Sequence, residues 1–260
     1  MTRSRSQRKS RQQANIPLNK KKPQNPIITL DHLVELQPLT KNQEKLFDAY
    51  DDGKNIIAHG YPGTGKTLSL LYKALEEVLD PRTPYKKVIV VRSTVATRDI
   101  GFLKGTVEDK ISEFEKPYKY MIKNLFDYDS DEQYEMLYGN LKAQKSFYFM
   151  STSFIRGMTF DECIIIVEEF SNLSFHELDS IITRVGIDCK IHFSGDLEQT
   201  DLVKPSEKAG APSFLRILNE MVEFERIDFT IEDIVRSGTV KNYIIAKNNL
   251  GLFSNPGLTD

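Results

Sequence analysis

The octapeptide GYPGTGKT, Gly60 to Thr67, limits what this chain can fold into more than any other stretch. It matches G-x-x-x-x-G-K-[ST] at Gly60, Gly65, Lys66 and Thr67. The apolar run NIIAHG (55–60) precedes it and predicts a short buried strand. LSLLYKALEEVL (68–79) follows and predicts an amphipathic helix. A strand, a glycine-rich turn and a helix N-terminus in that order make a phosphate cradle. Glycines let backbone N–H groups turn toward phosphate oxygens, and the helix end adds positive potential. The candidate cradle is Gly60, Tyr61, Pro62, Gly63, Thr64 and Gly65. Lys66 is then placed to reach the β- and γ-phosphates of a nucleoside triphosphate. Thr67 offers its hydroxyl to Mg²⁺.

The rest of the chain supplies further strands and helices in alternation. Helices are expected at 41–53, 68–79, near 174–184, at 211–222 and at 240–249, with 106–145 mostly helical. Strands are expected at 55–60, 86–94, 145–152, 163–169, 189–196 and, edge-like, 223–230. That order predicts an α/β fold with a mostly parallel central sheet and helices on both faces. The organisation expected is a disordered basic tail at 1–26, a single folded domain at 27–250 with a helical insertion at 106–145, and a flexible tail at 251–260.

Charge is distributed unevenly. Residues 1–26 carry eight Lys/Arg and no Asp or Glu, so the remaining 27 bases face all 37 acids, a net of −10. A basic, Ser/Gln-rich tail with few apolar residues either contacts nucleic-acid phosphates or solubilises the chain. The two cysteines, Cys163 and Cys189, follow no zinc spacing and predict buried reduced thiols in a reducing, cytoplasmic setting. There is no run of 18 apolar residues for a membrane span and no apolar core for a secretory signal.

IIIVEEF (164–170) is a strand buried on both faces that ends in two carboxylates. Alone, those acids either serve a ligand or finish a strand. A phosphate loop upstream favours the first option, because it needs an acid at a second strand end to hold Mg²⁺ through water. Glu168 is the candidate for that role, and Glu169 the candidate base that orients an attacking water. Such a pair favours hydrolysis over transfer to a small acceptor.

Beyond these motifs the chain resembles the PhoH-like family of P-loop ATPases, relatives of the first RecA-like domain of superfamily 1 helicases. The resemblance covers roughly residues 36–247. It rests on LTKNQEKLFDA before the loop, VIVVRSTV with GFLKGTVEDKI, STSFIRGMTFDECIIIVEEFSNLS, ITRVGIDCKIHFSGDLEQTDL and FTIEDIVRSGTVKNYI. It implies a RecA-like P-loop NTPase with ATP and Mg²⁺ as cofactors, single-stranded RNA or DNA as partner, and homo-oligomers, hexameric rings among them. The short chain and its basic tail resemble a bacteriophage member, which would act in the host cytoplasm.

The family pattern maps onto matching positions. Gln43 corresponds to a glutamine that reads the adenine edge, as an amide can donate and accept at once; an ordinary helical Gln is the alternative. Asp196 and Gln199 resemble a γ-phosphate sensing motif, with Gly195 allowing close approach. Arg236 resembles an arginine finger, in trans if the chain oligomerises; a surface ion pair with Glu232 or Asp233 is the alternative. Arg184 is a second candidate in trans. Arg92, Thr94 and Arg156 are candidate nucleic-acid contacts, with Phe102 and Phe154 either stacking bases or packing in the core. The chain departs from the family at Glu168, Phe170 and Ser171, where Asp, Ala and Gln are usual. Glu for Asp adds roughly 1.3–1.5 Å of reach, which water-mediated Mg²⁺ coordination can absorb. Two other readings compete with an ATPase motor: a nucleotide-gated binding module with little turnover, and a P-loop kinase or NTPase without nucleic acid.

Overall fold

Every position of the Cys163–Glu168 strand is buried, and its side chains alternate between two separate cores. Ile164 and Ile166 pack on one face, Ile165 and Val167 on the other. The uninterrupted apolar run therefore belongs to the middle of a sheet covered on both sides. Each such side chain contributes about 1.5–3 kcal/mol on leaving water.

The computed structural model describes residues 27–93, 107–128, 130–197, 200, 202 and 204–250. The expectations for the basic and C-terminal tails, Thr94, Phe102 and Gln199 lie outside the described residues. Six strands, β1 (Asn55–Gly60), β2 (Lys87–Arg92), β3 (Phe147–Ser151), β4 (Cys163–Glu168), β5 (Cys189–Gly195) and β6 (Phe224–Phe229), form one parallel sheet in the order β3-β2-β4-β5-β1-β6. Helices α1 (Lys41–Asp51), α2 (Lys66–Leu79), α3 (Val107–Lys123) and α4 (Asp131–Ala143) contribute to one core. Helices α5 (Phe175–Ile182) and α7 (Gly210–Asn219) contribute to the other. A short α6 (Pro205–Lys208) precedes α7, and α8 (Gly238–Asn249) follows β6. The expected order of elements stands, and β6 is an edge strand as expected. Helix α7 stops at Asn219, three residues before its expected end, and α6 has no periodic signal in four residues. No described helix is long and apolar enough to cross a membrane.

The β5 residues facing α1 and α2 are polar and still buried. His192 stacks on Tyr50 with ring centroids 4.8 Å apart, and its Nδ1 accepts from Ile56 N–H at 3.0 Å. Lys190 Nζ lies 4.4 Å from the Tyr50 ring centre and pairs with Glu77 at 2.8 Å. Burial, then the nearby Lys190, pushes the imidazole down to about 3. In the unfolded chain it takes a proton near its ordinary 6.5. The unfolded state thus binds more protons between those values, and stability should fall as pH drops through that window. Denaturant unfolding across it checks this. His192→Gln, which keeps an acceptor for Ile56 and does not ionise, should flatten the acid limb.

Candidate active site

Parallel strands point their C-terminal ends the same way, and here the ends of β1, β2, β4 and β5 meet at a cavity of about 930 Å³. The phosphate loop forms its floor. Gly60 has φ 122°, and a Cβ there would sit 2.0 Å from the Phe229 carbonyl oxygen. Gly65, at φ 82°, caps α2, and a Cβ there would sit 2.7 Å from Gln43 Nε2. The loop is tied to itself. Lys66 Nζ donates to the carbonyls of Gly60 at 2.7 Å and Tyr61 at 2.6 Å, and Thr64 Oγ1 donates to Tyr61 at 2.9 Å. Burial lowers the Lys66 ammonium to about 8 against the opposing pull of Asp196 and Glu168.

The two carboxylates at the end of β4 diverge. Glu168 is buried, and its Oε2 accepts from Thr67 Oγ1 at 3.0 Å. Thr67 Oγ1 also lies 3.3 Å from Ser194 Oγ, and Ser194 is the register partner of Glu168 on β5. Glu168 Oε1 is buried with no protein partner. Burial raises its carboxyl to about 7, against the lowering influence of the nearby Thr67 and Ser194 hydroxyls. One carboxylate with an orphaned oxygen and two hydroxyls is a hard-oxygen set that fits Mg²⁺. No cluster of three or more His, Cys, Asp or Glu among the described residues could hold a metal alone. A cation here would complete its shell with water and phosphate oxygens.

Glu169 has left-handed backbone, φ 50° and ψ 44°, uncommon for a residue with a side chain. Its carboxylate is 45% exposed, and Oε2 accepts from the Arg92 guanidinium at 2.6 Å. That guanidinium also lies 5.7 Å from the Phe114 ring centre. The sequence pattern expects Arg92 on a nucleic-acid surface. In the structure it lines the cavity, because the end of β2 lies beside the end of β4 and brings it against Glu169.

The other expected residues divide into two groups. Asp196, Ser171 and Arg236 line the cavity with the loop. Arg236 is exposed and lies across Gly63 of its own chain, where a Cβ would meet its Cγ at 2.6 Å. Tyr61 packs toward Ile234 and Ile244, and its hydroxyl donates to Asn248 at 2.7 Å. Gln43 is buried behind the loop. Its Oε1 accepts from Leu39 N–H at 2.7 Å, and its Nε2 donates to the Thr64 carbonyl at 2.8 Å, so the amide braces the loop. At Gly195 a Cβ would lie 2.9 Å from the Phe170 ring. Arg156 and Phe154 sit outside the cavity in the segment after β3, both exposed, Phe154 at 50%. Arg184 follows α5 on the way to the N-terminal end of β5, away from the cavity.

Sequence reasoning missed one wall of the site. Pro117, Tyr118, Tyr120, Met121 and Asn124, on and just after α3, line the cavity, with Tyr120 66% exposed. The run KPYKYMIKN carries that aromatic signal, but no motif assigns it to a site. Ser194 was missed as well.

A family model described as PhoH-like protein matches residues 35–247. The chain belongs to the PhoH family. This PhoH member carries its phosphate loop after β1 of a parallel sheet that has helices on both faces, an α/β fold. It is 27% identical over 225 residues to a PhoH-like protein of Mycobacterium tuberculosis, covering 85% of this chain and 61% of that one. It is 34% identical over 174 residues to Protein PhoH2 of Bacillus subtilis, covering 66% of this chain and 38% of that one. The chain thus spans between about two fifths and three fifths of these relatives. Among solved structures, the large terminase of a thermophilic bacteriophage in complex with ADP aligns over 80% of this chain and 49% of its own. Its TM-score is 0.48 at 15% identity. The Pif1 helicase of Candida albicans aligns over 83% of this chain and 44% of its own, with TM-score 0.39 at 17% identity.

Gly60→Ala tests how the PhoH loop is held. The added methyl meets backbone that cannot swing aside, so the loop or β6 must shift. Stability should drop by about 3 kcal/mol, read by denaturant unfolding; an unchanged midpoint would show that Gly60 is not pinned by Phe229.

Proposed function

We propose that this PhoH member is a Mg²⁺-dependent ATPase that acts on single-stranded nucleic acid, RNA in the first place, as an oligomer. The observation that carries the ATPase reading is the Thr67–Glu168 hydrogen bond of 3.0 Å beside the phosphate loop, with Glu168 Oε1 buried and unpartnered. A carboxylate with one oxygen held by a loop hydroxyl and the other walled off without a partner calls for a cation. Thr67, Glu168 and Ser194 would hold Mg²⁺, which supplies charge neutralisation on phosphate oxygens when bound.

The roles of this chain's residues follow from their positions. The backbone N–H groups of Gly63 to Thr67 bind the phosphates, and Lys66 exchanges its carbonyl partners for phosphate oxygens. Asp196 lines the same cavity as Lys66 and favours its protonated form. Glu169 takes a proton from the attacking water, and its backbone strain aims the carboxylate at that task. Arg236 stabilises phosphate charge from the same chain, since it already lies on Gly63. Arg156 and Phe154, close together in the exposed segment after β3, offer a cation for a phosphate and a ring for a base. The domain at 27–250 is the motor unit; the basic segment 1–26 adds backbone affinity, and subunit contact completes the open side of the cavity.

One observation favours a second reading. Arg92 pairs with Glu169, so the base is already engaged. If nothing releases it, the protein is a nucleotide-gated binding module with little turnover.

ATP hydrolysis by wild type and Glu169→Gln, with and without single-stranded RNA or DNA, separates these. The ATPase reading expects stimulation by the strand and a loss of about 10²–10⁴-fold in kcat in the variant. Tight ATP binding without turnover in either protein supports the gated module. Turnover indifferent to nucleic acid and raised by a small acceptor supports a kinase. Independently, Lys66→Ala should weaken ATP binding about 10–100-fold, the loss of charge-assisted hydrogen bonds. Calorimetry reads this directly, and unchanged affinity would remove Lys66 from the site.

A further inference from the structure

The N-terminal edge of the sheet, at the opposite end from the cavity, holds a feature that the ATPase reading does not use. Cys163 and Cys189 are the first residues of β4 and β5 and are direct register partners. Their sulfurs lie 3.2 Å apart, and neither is in a disulfide. Adjacent strands run about 4.8 Å apart, inside the roughly 4.4–6.8 Å that a disulfide needs between Cα atoms. The backbone therefore already supplies the geometry, and only the side chains must turn.

Both strands begin in the same way. Glu162 and Asp188, each just before its cysteine, have left-handed backbone with φ 51°. Glu162 N–H donates to the Ile187 carbonyl and Cys163 N–H to the Asp188 carbonyl, which locks the starts of β4 and β5 together. Gly186 lies under this turn, where a Cβ would sit 2.0 Å from Asp161 Oδ1. Paired strained residues persist only where the surroundings over-determine them. Access is asymmetric: Cys163 is buried, while Cys189 is partly exposed. Cys189 is thus the sulfur that a solute reaches first. Hydrogen bonding from the Cys163 thiol draws Cys189 down to about 7. The Phe160 carbonyl, which accepts from the neutral Cys189 thiol at 2.8 Å, opposes that ionisation.

We propose that Cys163 and Cys189 are a thiol–disulfide modification site that forms a reversible intramolecular link with a low-molecular-weight disulfide of the glutathione class. The Cys189 thiolate attacks one sulfur of the reagent, forms a mixed disulfide and expels one thiolate. Cys163, losing its proton, then attacks Cys189 Sγ, closes the β4–β5 link and expels the second. The protein dithiol gives up two electrons and two protons, and the reagent leaves as two thiols. Excess reduced thiol runs the sequence backward.

The test uses the full chain equilibrated in buffers of reduced and oxidised glutathione. Remaining thiols are blocked with an alkylating agent, and peptides are mapped by mass spectrometry. The expected product is a linked pair of peptides containing residues 163 and 189, lighter by two hydrogen atoms and lost on reduction. Two alkylated cysteines across the whole range would overturn the proposal. So would a mixed disulfide that persists on wild-type Cys189, or a link between two chains. Cys163→Ala should trap the mixed disulfide at Cys189; if that variant does not fold, the wild-type map decides alone. Linking residues 26 positions apart should also raise the melting temperature. A fall on oxidation would contradict the claim that the register supplies the geometry.

Discussion

The missing side chains of three glycines hold this structure's functional end together. At Gly60 the β6 backbone at Phe229 closes onto the loop; at Gly63, Arg236 lies across it; at Gly65 the Gln43 amide presses from α1. A loop meant to present N–H groups to an anion must hold its shape before the anion arrives, against its own tendency to collapse on its carbonyls. Here α1, β6 and the segment after it wedge the loop from outside, and Lys66 ties down the carbonyls of Gly60 and Tyr61 from inside. Preorganisation of that kind reduces the ordering cost of binding.

The end of β4 depends on that same arrangement. Glu168 can be buried because Thr67, the last residue of the loop motif, gives it a hydrogen bond, and Ser194 stands beside it. Its second oxygen is left without a partner, and its carboxyl is raised to about 7 by burial. A buried carboxylate is an unfavourable arrangement for stability alone. Glu169 turns the other way through a left-handed backbone and meets Arg92. Neighbouring acids thus occupy different environments, one enclosed and one half-exposed, which is how two carboxylates come to hold different roles.

Much of this was legible in the chain itself. The phosphate loop, the doubly buried β4 and the alternation of strands and helices are local patterns, written in glycine spacing and hydrophobic period. Partners across the fold were less legible. Nothing in KNQEKLFDAY says that Gln43 braces Thr64, since that depends on how α1 packs beside β1. Arg92 reads as an arginine at a strand end; that it faces Glu169 follows from β2 and β4 being neighbours, a matter of strand order. The α3 wall stayed hidden because its aromatic residues fit core packing as well as a cavity. Phe170 and Ser171 read as departures from the family, and both are buried, with the Phe170 ring against Gly195.

The central claim is that Glu168 and the phosphate loop form one Mg²⁺–nucleotide site. Calorimetric titration of ATP with Mg²⁺, and with the cation chelated, into wild type and Glu168→Ala tests it most directly. The account predicts that Mg²⁺ tightens ATP binding to wild type and that the variant loses this gain while still binding ATP through the loop. A variant that keeps the full Mg²⁺ effect, or a wild type that does not bind ATP, would contradict it.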